Sequence, residues 1–303
     1  MSNKPPQLNN KRGDKIIAIV GPTGSGKTEW AKILAQKFNG KIISADSRQI
    51  YQEMDIGTGK DTSFKQELMS IVSPDQRFTV WDYQKLANEK INQFLNLNFL
   101  PIIVGGTGLY IEAVLYNYII PNLQKDSWRF RQNLEKLSDK ALVLKLKKVD
   151  PKSAQKIDLK NRRRVIRALE VAMLTKKSFV ELRQKGQPKY EFLILGIKTD
   201  RQTLYSKIDA RIDRMLKDGL VEEVRGLLKK YRSDLPSLNT IGYKEIIDYL
   251  RGRFSLTEAI DKIKTNTHAY VRRQETWFRH DKNIKWVSNI AEAEKLVKKF
   301  LKS

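Results

Sequence analysis

Cysteine is absent from the 303-residue sequence, which also contains only two histidines. The lack of cysteine excludes disulfides and cysteine-ligated zinc sites, and it is consistent with a reducing cytoplasm. No stretch approaches the roughly 20 consecutive apolar residues that a membrane-spanning helix needs. Residues 1–13 are polar and lack the apolar centre of a signal peptide, so we interpret them as a short disordered lead-in. The sequence therefore predicts a cytoplasmic protein that does not enter a membrane.

Acidic residues are the minority among the charged ones. There are 34 Asp and Glu residues against 58 Lys and Arg residues, which gives a formal net charge of +24. Such an excess of positive charge is typical of proteins that bind nucleic acid. A general lysine bias of the source genome would produce the same excess, and charge alone does not separate the two explanations. A hydrophobic content of 40% is sufficient for a buried core.

The clearest motif that is present is a phosphate-binding loop. It reads Gly21-Pro22-Thr23-Gly24-Ser25-Gly26-Lys27-Thr28 and matches the pattern G-x-x-x-x-G-K-[ST]. An apolar, strand-like run precedes it at 15–20, and residues 28–38 follow with apolar side chains at helical spacing. This context predicts that backbone N–H groups surround a polyphosphate, with Lys27 on the terminal phosphates and the Thr28 hydroxyl as a ligand of Mg²⁺. The motif does not say whose phosphates are bound.

Strands and helices alternate in the first part of the chain. We predict strands over 41–45 and 101–106 and a helix over 80–96, a pattern typical of an α/β fold with a P-loop NTPase-like parallel sheet core. The phosphate-binding loop, Asp46-Ser47 and the Gly105-Gly106-Thr107 turn each follow a predicted strand. Because the carboxyl ends of parallel strands share one edge of a sheet, we expect these three segments to form a single site.

The pattern changes between about residues 122 and 190. Strand signals are missing there, helices are predicted over 126–137, 139–148 and 162–175, and basic residues are concentrated. We interpret this segment as a helical insertion domain. The core resumes with a predicted strand over 192–197, helices over 201–218, 220–231 and 256–279, and an edge strand over 284–287. The predicted organisation is thus a core of 14–121 and 191–303 with an insertion of 122–190.

Two residues at predicted strand ends have open interpretations. Asp46 is a candidate Mg²⁺-binding aspartate of an NTPase, a candidate general base, or a helix N-cap. Thr107 is a candidate ligand contact or a helix N-cap at a strand-to-helix turn. The glycines before Thr107 would allow a ligand to approach the backbone closely. They occupy a place where many NTPases have a carboxylate, which argues against an ATP-hydrolysing motor.

Two later segments combine charge with helical periodicity. Arg211 is a candidate clamp on phosphate, but Asp209 and Asp213 nearby also allow an exposed, internally paired helix face. Residues 272–279 mix arginines with aromatic residues, which suits either RNA binding or a helix with an aromatic core face. The two histidines, His268 and His280, have neither ligand spacing nor triad partners.

Taken together, the motifs identify the chain as similar to tRNA dimethylallyltransferases. The resemblance extends from about residue 16 to residue 287 and rests on six motifs in the right order. They are residues 21–28, Ser44-x-Asp46-Ser47-x-Gln49-x-Tyr51 with 54–60, Gly105-Gly106-Thr107-x-Leu109-Tyr110, Arg164-x-x-Arg167-Ala168-Leu169-Glu170, Ile241-Gly242-Tyr243-Lys244-Glu245, and Arg273-Gln274-x-Thr276-Trp277-Phe278-Arg279.

The resemblance implies transfer of a dimethylallyl group from dimethylallyl diphosphate to N6 of adenosine 37 in tRNA, with release of diphosphate. It implies that residues 21–28 hold the diphosphate of the prenyl donor with Mg²⁺ on Thr28, and that Asp46, Thr107 and Arg211 serve catalysis. It also implies that tRNA, through its anticodon stem-loop, contacts both parts of the chain. The implied tRNA-binding residues are Asp46, Ser47, Arg48, Gln49, Thr107, Arg131, Arg163, Arg164, Arg167 and Arg273.

The chain departs from the family pattern at two positions, where His268 and Arg272 replace the usual Arg and Lys. No zinc-finger extension follows the last motif, so the bacterial type is the nearest match, and we expect a monomer. The rival interpretations are a P-loop kinase of a nucleoside or small metabolite, a transferase of free adenine nucleotides, and a non-catalytic tRNA-binding module. The basic insertion argues against the free-nucleotide enzyme, because a small acceptor does not need it.

Overall fold

Six strands form one parallel sheet in this computed structural model, which describes residues 14–121, 123, 127–182 and 185–303, without the side chains of 127–129. The strands are β1 (Lys15–Val20), β2 (Gly40–Ser44), β3 (Gln66–Glu67), β4 (Leu100–Gly105), β5 (Glu191–Ile197) and β6 (Ile284–Val287). Their order across the sheet is β3-β2-β4-β1-β5-β6. Every neighbouring pair is parallel, which confirms the predicted α/β class.

Helices account for most of the remaining described chain. They are α1 (Lys27–Phe38), α2 (Val80–Asn96), α3 (Gly108–Leu115), α4 (Ser127–Glu135), α5 (Asp139–Val149), α6 (Pro151–Lys156), α7 (Arg162–Thr175), α8 (Phe179–Leu182), α9 (Arg201–Lys217), α10 (Leu220–Lys230), α11 (Tyr243–Leu250), α12 (Leu256–Arg279) and α13 (Ile290–Lys302). Within the described ranges, no helix is long and apolar enough to cross a bilayer.

The chain divides into two units by its internal contacts. One comprises the described residues up to Leu115 together with Lys189–Ser303, and the other is Tyr116–Pro188. The sheet and helices α1–α3 and α9–α13 belong to the first unit, which we call the sheet unit. Helices α4–α8 belong to the second, which we call the helical unit. The boundaries predicted from composition, 121/122 and 190/191, stay predictions.

The central strand β1 is buried along its whole length, as expected for a parallel strand with helices on both faces. Its alternate side chains serve two cores. Ile16 and Ala18 pack with the cluster that contains α2 and α3, whereas Ile17 and Ile19 pack with α1 and α13. The helical unit has a separate core around α5 and α7. Burial on both faces therefore fixes β1 in the middle of the sheet unit.

Three strand ends that matter for the site are neighbours. β1 pairs with β4, and β4 pairs with β2, in registers that place Val20 opposite Gly105 and Ser44 opposite Val104. At this edge the Ala45 backbone N–H donates to the Val104 carbonyl at 2.7 Å. A Cβ atom on Gly105 would lie 2.2 Å from the Ala45 carbonyl oxygen, so this strand end has no room for a side chain. The site is thus built on a tightly joined edge.

The predicted elements all occur, and most differ from the observed ones only at their ends. Those over 15–20, 80–96, 162–175, 256–279 and 284–287 have the predicted bounds, and β6 is an edge strand as expected. The predicted lead-in, 1–13, and residue 126 of the predicted helix 126–137 lie outside the described residues.

Six elements were not predicted. β3 has two residues, and α3, α6, α8 and α11 are short helices of four to eight residues, too short for a periodic apolar pattern. The sixth, α13, has 13 residues and was missed although its apolar residues recur at helical spacing. Asn289 caps α13, because its side chain accepts from the Glu292 backbone N–H at 3.0 Å. An Asn N-cap before an apolar-periodic run was the signal available in the sequence.

Candidate active site

The phosphate-binding loop connects β1 to α1, the order that the motif requires. Gly24 and Gly26 have φ angles of 81° and 83°, in the left-handed region that favours glycine. Gly26 is the N-cap of α1 and offers no side-chain cap, so the first N–H groups of the helix are available to an anion. Helix α9 packs against the loop so closely that a Cβ on Gly24 would lie 2.9 Å from Cγ1 of Ile208. The loop is therefore preformed for a phosphate group.

Lys27 is partly buried and bonds to the loop. Its Nζ donates to the Pro22 carbonyl oxygen at 3.0 Å. Burial lowers the pKa of Lys27 to about 8, and the opposing pull of the Asp46 carboxylate is partly cancelled by the Arg211 guanidinium. A partly buried ammonium of this kind gains most when a dense negative charge arrives beside it.

A cavity of about 350 Å³ opens above the loop. Its walls include Lys27, Thr28, Ser44, Asp46 and Asp61. The hydroxyl and carboxylate groups among them are the oxygen donors that Mg²⁺ takes alongside phosphate oxygens and water. The donor set thus fits the Mg²⁺ site that the motif predicts at Thr28.

Asp46 directly follows β2, and its carboxylate starts a tight turn. Oδ1 accepts from the Arg48 backbone N–H at 2.8 Å. The turn is joined to the end of β4 by Thr107, whose Oγ1 accepts from the Ser47 N–H at 3.0 Å and donates to Ser47 Oγ at 3.3 Å. The Thr107 side chain is thus turned to Ser47, while α3 receives only backbone bonds from Thr107. The structure brings together two of the predicted catalytic residues through Ser47.

Arg211 reaches the same place from α9. Its Nη1 lies 3.5 Å from Thr23 Oγ1, and its Nη2 donates to the Gly59 carbonyl at 3.1 Å. Burial lowers the pKa of Arg211 from its ordinary value, and the Asp46 carboxylate opposes that effect. The two acids that flank it in sequence bind elsewhere, Asp209 to His268 at 2.9 Å and Asp213 to Lys264 at 2.7 Å. Arg211 is therefore not a member of an internally paired, exposed face.

A second cavity of about 480 Å³ adjoins the first. Thr23, Asp46, Thr58 and Arg211 line both cavities. The residues that line the second cavity include polar ones, Ser47, Arg48, Lys244, Tyr270 and Arg273, and apolar ones, Ile208, Ile212, Met215, Leu220, Ile241 and Ile263. Asp46 and Arg211 therefore stand where a phosphate cavity meets a cavity for another group.

Helix α12 supplies two residues to this region, Gln274 and Tyr270, that were not predicted to belong to the site. Gln274 is buried; its Oε1 accepts from the Thr23 backbone N–H at 2.9 Å, and its Nε2 donates to the Gly106 carbonyl at 2.9 Å. Tyr270 lies one turn earlier, and burial beside Asp46 raises the pKa of Tyr270 to about 12, so its hydroxyl stays protonated. Tyr270, Arg273, Gln274 and Trp277 follow the i, i+3, i+4, i+7 spacing of one helix face, which was the available signal.

The need for glycine at positions 106 and 108 has a different explanation from the expected close approach of a ligand. A Cβ on Gly106 would lie 2.2 Å from Nε2 of Gln274, and one on Gly108 would lie 2.3 Å from the Trp277 ring. The Trp277 indole N–H in turn donates to Glu112 at 2.6 Å. These glycines therefore admit the side chains of α12, and the expected close approach of a ligand to them is not needed to explain them.

The remaining predicted contacts of the sheet unit are Arg48, Gln49 and Arg273. Arg48 Nη1 donates to the Pro236 carbonyl at 3.4 Å, and Cζ of Arg273 lies 5.6 Å from the centroid of the Tyr270 ring. Gln49 does not face the second cavity; its Nε2 donates to the carbonyls of Thr58 and Gly59 at 3.2 and 3.3 Å, on the side of the phosphate cavity.

The four predicted arginines of the helical unit fall into two pairs. Arg131 and Arg167 lie 3.4 and 3.3 Å from the fully buried Glu170 carboxylate. Arg163 and Arg164 are exposed on the first turn of α7. The preceding Arg162 has a different task, since it pairs with Asp139 and donates to the Glu135 and Leu137 carbonyls at 2.8 Å each. Arg163 and Arg164 thus present the more open positive charge.

His268 and Arg272, the two departures from the family pattern, both contact Tyr205. The His268 ring stacks on Tyr205 with centroids 3.9 Å apart, and Arg272 donates to the Tyr205 hydroxyl at 3.0 Å. His268 therefore serves helix packing between α9 and α12, in line with the absence of ligand spacing around it.

Comparisons with known proteins agree with the motifs. A family model described as IPP transferase matches residues 49–281, and one described as isopentenyl transferase matches residues 14–73. The tRNA dimethylallyltransferase of Acetivibrio thermocellus is 42% identical over 300 residues, covering 94% of this chain and 96% of that protein. The enzyme of the same name from Geobacillus thermodenitrificans is 44% identical over 285 residues, covering 90% of each.

Solved structures give the same result. The tRNA isopentenylpyrophosphate transferase from Bacillus halodurans is similar with a TM-score of 0.73 at 38% identity, over 95% of this chain and 97% of that one. A eukaryotic dimethylallyltransferase acting on tRNA is similar with a TM-score of 0.78 at 27% identity, over 92% of this chain and 75% of that one. The resemblance inferred from the motifs is confirmed, and the chain belongs to the family of tRNA dimethylallyltransferases.

Proposed function

We propose that this protein transfers a dimethylallyl group from dimethylallyl diphosphate to N6 of adenosine 37 in tRNA and releases diphosphate. The observation that carries the proposal is the position of Asp46 and Arg211 on the wall shared by the two cavities. One cavity has the cations and N–H groups for a diphosphate, and the other has room for an acceptor. A carboxylate and a guanidinium between them suit a reaction in which a base acts on one side and an anion leaves on the other.

The leaving group is stabilised from several directions. As the bond from C1 of the donor to the diphosphate oxygen breaks, negative charge grows on that oxygen, where Lys27, Arg211 and the N–H groups of the loop can neutralise it. Mg²⁺ bound through Thr28 would add a divalent charge to the same oxygens. Because these groups are already in place, little reorganisation is needed when the bond breaks.

The acceptor needs a base. The lone pair of an adenine N6 amine is delocalised into the ring, so the amine is a weak nucleophile. As the N6–C1 bond forms, Asp46 takes the N6 proton, and the electron pair of the broken C1–O bond leaves with diphosphate. Thr107 holds the turn that carries Asp46 through its bond to Ser47. Tyr270 and Arg273 line the acceptor cavity, where they can contact the adenine.

An adenine inside a stacked anticodon loop must leave the stack to reach this cavity. We expect loop bases to be bound in the sheet unit and the phosphates of the anticodon stem-loop to be held by arginines such as Arg163 and Arg164.

The direct test is incubation of the protein with a tRNA transcript and labelled dimethylallyl diphosphate, in parallel with labelled ATP. We expect label from the prenyl donor in the RNA, at adenosine 37. A control transcript in which guanosine replaces that adenosine should take up no label if the transfer is specific. Consumption of ATP without prenyl transfer would contradict the proposal and favour a kinase.

Replacement of Asp46 by Asn tests the general base. Asn keeps an oxygen that can accept from the Arg48 N–H, so we expect the turn and tRNA binding to be preserved. The rate of transfer should fall at least about 10²-fold, because an amide does not take up the proton. Single-turnover rates and tRNA binding by filter retention measure the two effects. A variant with nearly normal turnover would refute the assignment of Asp46 as the base.

Replacement of Arg163 and Arg164 by Gln tests the helical unit. We expect weaker tRNA binding and a shallower dependence of log K on log [salt], by about 0.7–0.9 for each lost phosphate contact. Arg162→Gln is the matched control: it removes the same charge one residue earlier, but should lower the melting temperature because its contacts are internal. An unchanged salt slope in the double variant would show that these two arginines do not contact phosphate.

The lowered pKa of Lys27 predicts how donor binding depends on pH. With a pKa of about 8, the free protein loses the Lys27 charge as the pH rises through that value. Affinity for dimethylallyl diphosphate should therefore fall between about pH 7.5 and 9, by up to tenfold for each pH unit above the pKa. In Lys27→Arg the guanidinium stays charged, so titration calorimetry should find weaker binding that varies less with pH. Equal pH dependence in both proteins would contradict this prediction.

For protein without ligand, the same pKa shift has the opposite consequence. The unfolded chain keeps the Lys27 proton up to its ordinary pKa of 10.5, whereas the folded chain loses it near pH 8. The unfolded state therefore binds more protons between these values, and Lys27 makes the free energy of unfolding rise with pH in that window.

A further inference from the structure

The loop formed by residues 54–60, here the 54–60 loop, determines where the Arg211 guanidinium lies. The carbonyl oxygens of Thr58 and Gly59 accept from Nη2 of Arg211 at 3.4 and 3.1 Å. The same two oxygens accept from Nε2 of Gln49 at 3.2 and 3.3 Å. The fit is close, because a Cβ on Gly59 would lie 1.6 Å from Nη2 of Arg211. A shift of this loop would therefore shift the guanidinium.

One carboxylate, that of Glu223 on α10, holds the middle of the 54–60 loop. It accepts from three consecutive backbone N–H groups, those of Asp55 at 2.9 Å, Ile56 at 2.7 Å and Gly57 at 3.1 Å. It accepts a fourth bond from the Tyr243 hydroxyl at 2.6 Å. Four donors on one carboxylate form a strong, charge-assisted anchor.

Tyr243 completes the anchor from α11. Its ring is fully buried and lies so close to the loop that a Cβ on Gly57 would be 2.5 Å from Cε2 of the ring. Burial and the neighbouring Glu223 carboxylate raise the pKa of Tyr243 far above its ordinary value, so the hydroxyl remains a donor. Tyr243 thus donates to Glu223, and both residues contact the loop at Gly57.

Other contacts fix the ends of the loop and bond the Asp55 carboxylate and the Asp55 and Ile56 carbonyls to later residues of the loop, but they leave the N–H groups of residues 55–57 to Glu223. Lys60 Nζ donates to the Tyr51 carbonyl at 2.5 Å and to Ser70 Oγ at 2.8 Å, which ties the far end to the neighbouring chain. At the near end, Thr58 Oγ1 donates to the Met54 carbonyl at 2.6 Å. Neither contact uses the N–H groups of residues 55–57.

We propose that Glu223 and Tyr243 are positioning residues for the prenyl donor, acting through the 54–60 loop on Arg211. They do not line the phosphate cavity themselves. Their effect is to keep the Thr58 and Gly59 carbonyls where they direct the guanidinium toward the diphosphate. The inference rests on the proposed function in one respect, namely that Arg211 binds the diphosphate of the donor.

Two pairs of variants test the anchor. Glu223→Gln removes the charge and exchanges an acceptor oxygen for a donor, and its control is Glu222→Gln, an exposed glutamate in the same first turn of α10. Tyr243→Phe removes only the hydroxyl, and its control is Tyr249→Phe on the same helix, α11. Steady-state kinetics with dimethylallyl diphosphate and tRNA as varied substrates gives KM and kcat for each.

We expect Glu223→Gln to raise KM for dimethylallyl diphosphate about tenfold and to change KM for tRNA less than twofold. Tyr243→Phe should change the same constant in the same direction by a smaller factor, and both controls should match the parent protein. A rise in both KM values would overturn the inference, because a general loss of structure would affect tRNA binding as well as donor binding. A fall in kcat alone would also overturn it, because donor binding would then be unchanged.

A double-mutant cycle with Arg211→Gln separates positioning from stability. If Glu223 acts through Arg211, adding Glu223→Gln to Arg211→Gln should weaken donor binding by less than twofold further. Additive losses would show that Glu223 acts by another route. Should Glu223→Gln fail to fold, as its melting curve would reveal, Tyr243→Phe carries the same cycle, and additivity there would equally overturn the inference.

Calorimetric binding of inorganic diphosphate keeps this test independent of the reaction. If the parent protein binds diphosphate, and Glu223→Gln weakens that binding about tenfold while Glu222→Gln does not, the positioning role stands even if no prenyl transfer is found. If the parent transfers the prenyl group but Glu223→Gln binds diphosphate normally, the positioning role fails and the proposed function stands.

Discussion

The side-by-side arrangement of β2, β4 and β1 is the constraint on which the site depends. Each strand ends at the same edge of the sheet, and each is followed by a segment that the site uses: the Asp46 turn, the Thr107 turn and the phosphate-binding loop. Backbone bonds across this edge, such as Ala45 N–H to the Val104 carbonyl at 2.7 Å, leave little freedom. Burial of β1 on both faces fixes the register, since a slip by one residue would exchange its two cores. The packing of the core thus determines where the three segments of the candidate site lie relative to one another.

Electrostatics then gives this edge its chemistry. Lys27 and Arg211 are both partly buried, and burial lowers the pKa of each. Asp46 is the carboxylate that opposes both shifts, so it stabilises the cations before the diphosphate arrives. In the proposed reaction, the diphosphate would bring further negative charge to the same two cations.

Much of this arrangement could be predicted from the sequence, and the reasons for the misses are physical. The strands and the longer helices were predictable because burial imposes periodic apolar patterns, as in β1 and α12. Asp46, Thr107 and the loop could be grouped because they follow parallel strands. Gln274 and Glu223 could not be assigned in this way, since their partners are backbone groups distant in sequence, such as Thr23 N–H and Ile56 N–H. Backbone donors leave no trace in side-chain patterns. Gly106 was likewise attributed to a ligand, whereas the group that lies beside it is the Gln274 side chain.

The bridge made by Gln274 has a consequence for how this sequence can change. At position 274 one atom must accept from Thr23 N–H and another must donate to the Gly106 carbonyl. The carboxamide of Gln offers both on one terminal planar group, and Asn is one methylene shorter. Glutamate would set an oxygen against the Gly106 carbonyl oxygen, and any side chain at 106 would occupy the position of Nε2. Residues 106 and 274 therefore constrain each other, and through Gln274 the helix that bears Tyr270 and Arg273 is joined to the phosphate-binding loop.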